Sequence, residues 1–351
     1  MVELVGKINT DFFKKNIHQQ CGFNRKEVIK SAALGVDVSV IQISDQKALI
    51  SASDPLTLIP SLGMEESAWL SVHLTANDIA TTGFAPQFAQ MVLNLPTTIT
   101  TSDFELYWKY IHQFSKEIQM QITGGHTGFI EGQNSTIAGG ATLFSIVPKN
   151  EVLTSDGVQE KDVILMTKNC AMTATAILAK SFPQTVKNKA GNEIYQKAES
   201  RFYQTSVLKE SLLACEIGRH SYGVTAMHDV TEGGIIGALS EMLTASNKGA
   251  IIFNEMLPKD EVNTELEKIF SIDTRFCVGA GSMIITCKEI YANSIIEKLK
   301  ENEIPCVQIG ITTSMENGIK IIENDRESEL VAPKSDPYWE AYFNALKNNW
   351  K

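Results

Sequence analysis

Four aspartates lie in short motifs that could place a carboxylate at the edge of a folded element. They are Asp37 in Leu-Gly-Val-Asp, Asp54 just before Pro55, Asp78 just after Asn77, and Asp229 in Met-His-Asp-Val-Thr-Glu-Gly-Gly. Hard divalent cations such as Mg²⁺ prefer oxygen ligands, commonly a few carboxylates together with phosphate oxygens and water. The motifs therefore predict a site for Mg²⁺ and a phosphate compound. Each aspartate taken alone could instead cap a turn or a helix, or face solvent.

Glycine-rich segments provide the second chemical signal. Gly124-Gly125-His126-Thr127 interrupts the pattern of strands and helices, and backbone N–H groups can approach an anion closely at such a place. Residues 231–234, Thr-Glu-Gly-Gly, open a predicted helix whose N-terminus could face a phosphate. Glycine pairs also mark ordinary turns, and His126 could either contact phosphate or bond only to its own loop. The sequence has neither a P-loop motif nor a convincing dinucleotide-binding fingerprint.

The elements that would position these residues follow from periodicity and end signals. In the first half we expect strands over VSVIQIS and ALISAS, with Asp54 at the end of the second. A helix is predicted from Glu65 to Thr82, closed by Gly83, and a strand from Gln87 to Leu95. A capping box at Ser102 and Glu105 opens the next helix. A strand near 138–147 completes this half.

The second half begins after the polar stretch that follows Pro148, which predicts domains at 1–150 and 151–351. We expect a strand VILMT, a helix from about Met172, a polar segment over 183–200 and a long helix over 200–219. Further strands AIIFN, SMIIT and CVQIGIT alternate with helices, and the aromatic tail is expected to dock on the body. Because strands and helices mix without strict alternation, the predicted fold class is α+β, a mixed α/β arrangement in two domains.

Composition limits the class of protein. The 351 residues include 43% hydrophobic and 21% charged side chains, which is typical of a globular chain able to bury a core. A formal net charge of -10 and a pI of about 5.2 argue against nucleic acid or an anionic membrane as partner. Six cysteines without a Cys-x-x-Cys pair, and no signal sequence or long apolar run, indicate reduced thiols in a cytoplasmic protein.

At this point the order of motifs becomes informative. The series GVDVSV, SASDP, NDIATTGFAPQ, GGHT, MHDVTEGG and VGAGSMII resembles the aminoimidazole ribonucleotide (AIR) synthetase superfamily over nearly the whole chain. That superfamily includes AIR synthetase (PurM), the hydrogenase-maturation protein HypE, selenophosphate synthetase and thiamine-monophosphate kinase. The NDIATTGFAP and HDVTEGG stretches are the most specific, and the form of MHDVTEGG and GGHT is most similar to the AIR synthase-related, HypE-like group.

The resemblance implies a PurM-like fold: an N-terminal domain that binds ATP and Mg²⁺ and forms a homodimer through its sheets, and a C-terminal α+β domain. It implies that Asp37, Asp54 and Asp78 are metal ligands. The resemblance also implies catalytic roles for Asp54 and Asp229. The residues it assigns to nucleotide binding are Asn77, Gly125, His126, Thr127 and Thr231.

The chain also departs from the family pattern. Val36 and Gly128 occupy positions where the family often has acids, and the final residues Asn348-Asn349-Trp350-Lys351 lack the terminal cysteine of HypE proteins. The expected function is ATP-dependent phosphoryl transfer that activates an amide or carbonyl oxygen of a small molecule or of a group carried by a partner protein. Two alternatives stay open: a small-molecule kinase of the thiamine-monophosphate kinase type, and a non-catalytic nucleotide-binding partner protein.

Overall fold

The computed structural model describes residue 6, residue 8 and residues 10–31 and 33–351. Most of the first nine residues, on which the absence of a signal sequence was judged, lie outside the described residues. The chain folds into two compact units. The first unit consists of Arg25–Ser31 and Asp37–Val152. The second consists of Leu153–Lys351 with the described residues up to Asn24 and the short segment 33–36.

Six strands and two helices build the first unit. The short helix α1 (Thr10–Asn16) precedes them in the chain and belongs to the second unit. The elements of the first unit are β1 (Val28–Lys30), β2 (Ser39–Gln42), β3 (Lys47–Thr57), α2 (Met64–Ala80), β4 (Phe88–Pro96), α3 (Thr101–Glu117), β5 (Gln121–Ile130) and β6 (Ile137–Pro148). The strands form one six-stranded sheet in the order β1-β2-β3-β6-β4-β5. Neighbours are antiparallel except β4 and β5, which run parallel and are connected through α3.

Alternation of side chains explains why this sheet is covered on one face. Ala48, Ile50 and Leu56 of β3 are fully buried, whereas the residues between them are less buried. Buried Val72 and Ile79 of α2 belong to the same apolar cluster. The predicted capping box at Ser102 is wrong, because Thr100 caps α3 instead: its hydroxyl accepts the Asp103 N–H at 3.1 Å. Thr100 has the extended backbone that an N-cap requires, while Ser102 already lies inside the first turn.

The second unit contains the remaining elements. They are β7 (Asp162–Thr167), α4 (Met172–Ser181), α5 (Pro183–Ala190), α6 (Asn192–Ser200), α7 (Leu208–Ile217), β8 (Val224–Asp229), α8 (Gly234–Ala245), β9 (Lys248–Phe253), α9 (Glu261–Phe270), β10 (Met283–Lys288), α10 (Glu289–Glu301), β11 (Cys306–Ser314), β12 (Ile319–Glu323), β13 (Arg326–Glu329) and α11 (Pro337–Lys347). The seven-stranded sheet has the order β13-β12-β9-β11-β7-β10-β8. The two sheets, each with its helices, confirm the predicted mixed α+β class.

Two predictions about the second half are wrong. The polar segment over 183–200 forms two helices, α5 and α6, separated by Gly191 with a φ of 89°. Few residues of these helices are fully buried, so their apolar pattern is too sparse to stand out in the sequence. The long helix expected over 200–219 is only α7, because the chain first makes a 3₁₀ turn in which the Thr205 hydroxyl donates to the Phe202 carbonyl at 2.9 Å.

Docking of the aromatic tail is as expected. Trp350 packs against Phe270, with ring centroids 5.3 Å apart, and against Phe182. Helix α9 and strands β12 and β13 were not anticipated. None of the described helices is long and apolar enough to span a bilayer. All six cysteines lie in the described part of the chain as free thiols, and five of them are buried.

Candidate functional site

Asp54 lies inside β3 and not at its end, which corrects the sequence-based placement. It pairs with Ala141 of β6, and the strand continues to Thr57. Pairing of β2 with β3 stops at Ser51, so the part of β3 that contains Pro55 pairs only with β6. A proline, which lacks an N–H, is tolerated at such a free edge. The half-buried Asp54 side chain has the same strand parity as buried Ala52 and Leu56, on the helix-covered face.

Asn77 and Asp78 occupy the last turn of α2. Asn77 is fully buried and Asp78 is half-buried. The Thr81 hydroxyl donates to the Asp78 carbonyl at 2.7 Å, and Gly83, with a φ of 80°, then directs the chain away from the helix. These features fix the backbone that carries the Asn77 and Asp78 side chains. The helix was expected to run to Thr82 with Gly83 directly after it. It ends at Ala80 with Thr81 as the C-cap, so Gly83 lies two residues after the cap.

The three aspartates predicted to hold a metal ion belong to the first unit. Asp37 is half-buried, and one residue, Val38, separates it from the first residue of β2. Asp37, Asp54 and Asp78 do not form a group whose ligand oxygens all lie within 4.8 Å of one another. Two oxygens bound to one Mg²⁺ lie at most about 4.2 Å apart, because each Mg–O distance is about 2.1 Å. In this arrangement a single ion could therefore not contact all three carboxylates directly, and would reach at least one of them through a water or phosphate oxygen.

The Gly-Gly-His-Thr segment is a strand and not a turn. It forms the middle of β5, at the edge of the six-stranded sheet, where Gly125 pairs with Met91 of β4. Gly125 has a φ of 144°, and a Cβ at this position would lie 1.7 Å from the Met91 carbonyl oxygen, so only glycine fits. The glycines thus permit a close strand pairing, which the sequence does not distinguish from a turn.

Strand register fixes the distance between this segment and Asp54. Asp54 pairs with Ala141, Ala141 pairs with Met91, and Met91 pairs with Gly125, all in one row across the sheet. Three inter-strand spacings separate the ends of the row, about 14 Å at about 4.8 Å each. His126 is exposed and points to the opposite face from Asp54 because side chains alternate along a strand. The structure therefore does not bring His126 beside Asp54, and Thr127 is an exposed residue of the sheet edge.

The second unit holds the other predicted acid. His228 and Asp229 are the last residues of β8, and both are 2% exposed. Nε2 of His228 lies 3.5 Å from a carboxylate oxygen of Glu241 on α8. The alternative that Asp229 caps the following helix is wrong, because the N-cap of α8 is Gly233, in a left-handed conformation with a φ of 83°. Asp229 is thus a buried carboxylate at a strand end.

The N-terminus of α8 has a partner that the sequence did not reveal. The Gly233 N–H donates to Oδ2 of Asp336 at 2.9 Å, while the Gly234 N–H donates to the Thr231 carbonyl at 3.2 Å. A phosphate is therefore not needed to satisfy these two donors. Asp336 before Pro337 is a recognisable helix N-cap signature, but no sequence signal connects it with a glycine some hundred residues earlier.

Burial determines the chemical state of two further side chains, His73 and Cys170. His73 on α2 packs against Trp69 with ring centroids 3.7 Å apart and the rings tilted by 34°. Burial lowers the His73 pKa to about 4, so it is neutral and packs as an aromatic side chain. Burial also raises the pKa of the Cys170 thiol to about 12, which disfavours the nucleophilic thiolate. Cys21 is exposed, and its Sγ lies 3.3 Å from the Ile17 carbonyl oxygen.

Comparisons with known proteins cover both units. The N-terminal domain model of AIR synthase related proteins matches residues 35–147, and the C-terminal domain model matches residues 159–322. A putative hydrogenase expression/formation protein of Methanocaldococcus jannaschii is 28% identical over 272 residues, which is 76% of each chain. The selenide, water dikinase of the same organism is 27% identical over 231 residues, 62% of this chain and 63% of the relative.

Solved structures with the same fold include the hydrogenase maturation protein HypE in complex with ATP. It superimposes with a TM-score of 0.69 at 18% identity, over 86% of this chain and 89% of the other. At that identity the likeness concerns the fold alone.

Proposed function

The chain belongs to the family of AIR synthase related proteins, and on that premise we propose that it binds ATP with Mg²⁺ and transfers the terminal phosphoryl group to an amide or carbonyl oxygen. The observation that carries the proposal is the paired match of the two domain models. Asp37, Asp54 and Asp78 lie within the first matched segment, 35–147, and Asp229 lies within the second, 159–322. One relative is named for a kinase reaction, and one structure of this fold holds ATP.

The donor atoms of the first unit suit a hard cation. Asp37, Asp54 and Asp78 are half-buried carboxylates, the ligand type that Mg²⁺ takes together with phosphate oxygens and water. When bound, Mg²⁺ would supply positive charge against the phosphates of ATP, which an acidic chain of net charge -10 otherwise repels. Phosphoryl transfer depends chiefly on positioning and charge neutralisation, so these carboxylates are proposed to hold the ion and the phosphates in place.

Further residues of each unit are proposed to have roles. In the first unit, the buried Asn77 amide is proposed to fix the end of α2 and to contact the nucleotide. In the second unit, Asp229 is proposed to be catalytic and Thr231 to bind nucleotide. Gly125, His126 and Thr127 would contact a part of the nucleotide, or of a second copy's nucleotide, well removed from Asp54. The acceptor oxygen would belong to a small molecule or to a group carried by a partner protein.

Calorimetric titration with ATP tests binding, in the presence and absence of Mg²⁺. We expect ATP to bind only with Mg²⁺, and Asp54→Asn and Asp78→Asn each to weaken binding by at least about tenfold, the scale on which altered metal surroundings act. Asp45→Asn is the matched control, because Asp45 is an exposed turn carboxylate of the same unit. Equal binding with and without Mg²⁺, or equal affinities for all variants, would contradict the metal assignment.

Product analysis separates this reaction from its alternatives. An activating enzyme releases inorganic phosphate and ADP once the activated oxygen has left, whereas a small-molecule kinase gives ADP and a stable phosphorylated product. A protein that binds Mg²⁺ and ATP but yields neither product with any acceptor would be a non-catalytic nucleotide-binding partner. The positions Val36 and Gly128, where the family often has acids, make that third outcome worth measuring.

We also propose that the protein is a homodimer formed through the first unit. One face of the six-stranded sheet carries exposed apolar side chains: Val92 is 42% exposed, Ile130 45% and Ile146 42%. The strand registers place all three on the face that also bears His126, opposite to the face packed on α2. The same apolar face of a second copy could cover these side chains, because a two-fold interface joins identical patches of the two copies.

A further inference from the structure

The C-terminal segment contacts the Thr-Glu-Gly-Gly loop that begins α8. Asp336 is the N-cap of α11, where its Oδ1 accepts the Tyr338 N–H at 2.9 Å, and its Oδ2 accepts the Gly233 N–H at 2.9 Å. A single carboxylate therefore ties the beginning of one helix to the beginning of another. Asp336 is 6% exposed, so water does not compete strongly for these donors.

Neighbouring tail residues reinforce this contact. The Trp339 indole N–H donates to a carboxylate oxygen of Glu232 at 3.3 Å. Pro333 also lies close to Gly233: its Cγ is 3.5 Å from the position that a Cβ on Gly233 would occupy. Three tail residues thus lie against Glu232 and Gly233. Asp336 and Trp339 make hydrogen bonds to them, and Pro333 lies close by.

The far end of the tail is also fixed. Nζ of Lys189 on α5 lies 3.9 Å from the centroid of the Trp350 ring, and the Thr185 N–H donates to the Lys351 carbonyl at 2.6 Å. Contacts at both ends of helix α11 therefore fix its position, and with it the position of Asp336.

The other side of the loop is equally constrained. Gly234 has a φ of 63°, and a Cβ there would lie 2.4 Å from the Arg275 carbonyl oxygen. The Val230 N–H donates to the Ser282 carbonyl at 3.0 Å. Between these fixed points lie Thr231, Glu232 and Gly233, and the last two contact the tail.

We propose that Asp336 is a positioning residue, which holds Gly233 and thereby sets the placement of Thr231, a proposed nucleotide-binding residue. The inference rests on the proposed function, because the placement of Thr231 matters for binding only if the protein binds a nucleotide. Asp336 touches no reacting group and acts through the loop backbone. Its carboxylate occupies the helix end where a phosphate would otherwise bind, so the phosphates of a nucleotide must lie elsewhere in the site.

The groups that face Asp336 give the proposal a pH signature. Burial, with a smaller contribution from the Glu232 carboxylate, raises the pKa of Asp336 to about 6, and the N–H groups of Gly233, Tyr338 and Val278 oppose the rise. The Cys277 thiol also lies near, and burial together with Asp336 raises the pKa of that thiol. The raised pKa means that the closed loop binds this proton more tightly than an open loop with a hydrated carboxylate would, so the hold on Gly233 should weaken as the pH rises through 6.

Amide hydrogen exchange of residues 229–236 in the full-length protein tests the hold directly. We expect Asp336→Asn, which keeps only one good acceptor oxygen, to speed exchange in this loop at least tenfold, with Trp339→Phe giving a smaller effect. Glu340→Gln is the matched control, because it removes an exposed carboxylate from the same helix turn and should change nothing. After correction for intrinsic rates, wild-type protection should fall as the pH rises through 6, and Asp336→Asn should show no such step.

Mg²⁺-ATP titration of the same variants tests the link to the site. Weaker binding by Asp336→Asn, several-fold or more at pH 7.5, together with faster loop exchange supports the proposal. Unchanged loop exchange in Asp336→Asn overturns it, and faster exchange with unchanged affinity overturns the positioning role. If wild type binds no ATP at all, the proposed function fails, while the exchange data still decide whether Asp336 holds the loop. Trp339→Phe provides the same readouts if Asp336→Asn does not fold.

Discussion

At the scale of single residues, close backbone approach explains the glycines better than ligand binding does. Gly125 and Gly234 both have positive φ, and a Cβ on either would collide with a backbone atom of a neighbouring element. These glycines are required by the packing whether or not a phosphate binds near them. A glycine-rich motif by itself is therefore weak evidence for a nucleotide.

Replacing Gly125 tests this explanation. We expect Gly125→Ala to lower the free energy of unfolding by about 1–3 kcal/mol, the cost of a strained backbone position, because β5 must move away from Met91. The matched control is Gly124→Ala, whose Cβ would meet only the Gln90 side chain, at 3.5 Å. Denaturant unfolding measures both variants, and equal midpoints would contradict the steric argument.

Asp336 should leave a signature in the pH dependence of stability. Its pKa in the folded protein is raised to about 6, chiefly by burial, above an ordinary value of about 4. The folded protein therefore binds this proton more tightly than the unfolded chain. The resulting stabilisation, up to about 3 kcal/mol, is complete below about pH 4 and is lost as the pH rises through 6.

Comparison with Asp336→Asn isolates that contribution. The difference in unfolding free energy between wild type and variant should move by this amount between pH 4 and pH 7, in the direction that disfavours wild type at the higher pH. Denaturant unfolding at a series of pH values measures it. A difference that is constant with pH would show that Asp336 does not titrate in this range.

At the scale of elements, an ion pair between a buried arginine and an exposed aspartate joins the helices of the second unit. Arg201, which follows α6, donates to both carboxylate oxygens of Asp260 at 2.5 Å and to the Thr175 hydroxyl of α4 at 3.1 Å. Asp260 is also the N-cap of α9, in a capping box with Asn263. One carboxylate thus satisfies a helix end and a buried guanidinium, which fixes α9 against α4 and α6.

Removing the Asp260 carboxylate should lower the free energy of unfolding. Asp260→Ala leaves the Arg201 side chain, 5% exposed, without its anionic partner, and we expect a loss of about 3–5 kcal/mol in unfolding free energy. Glu261→Gln is the matched control one residue away, because Glu261 pairs with Lys197 at an exposed position and should contribute little. Similar losses for the two variants would show that burial does not determine the strength of this pair.

At the scale of the whole molecule, the open face of the first-unit sheet is the feature that a single chain leaves unexplained. Val92, Ile130 and Ile146 expose apolar surface on a face that α2 and α3 do not cover. Apolar side chains grouped in this way commonly mark an interface. The proposed homodimer would bury them.

Charge placed on that face should separate the copies. We expect wild type to have twice the mass of the 38.7 kDa chain by light scattering or sedimentation, and Val92→Glu with Ile146→Glu to have the mass of one chain. Ile290→Glu is the control, since Ile290 is 80% exposed on α10 of the second unit. A dimer that survives the double substitution would place the interface elsewhere.

The sequence by itself determined the class of fold and most of the elements. Periodicity located β4, β6 and β7 and the body of α2, because their apolar spacing follows directly from strand and helix geometry. The motif order indicated the family, which the matches of both domain models show. The spacing of Asp37, Asp54 and Asp78 along the chain did not indicate how far apart their side chains would lie.

Only the tertiary structure decided what contacts those motifs. Sequence could not show that Gly124-Gly125-His126-Thr127 is an edge strand, because a glycine needed for close pairing looks the same as a glycine needed for a turn. It could not show that Asp336 holds Gly233, since the two are brought together only by the packing of α11 against the start of α8. Local patterns report the local backbone, whereas contacts between distant residues depend on how the whole unit buries its apolar surface.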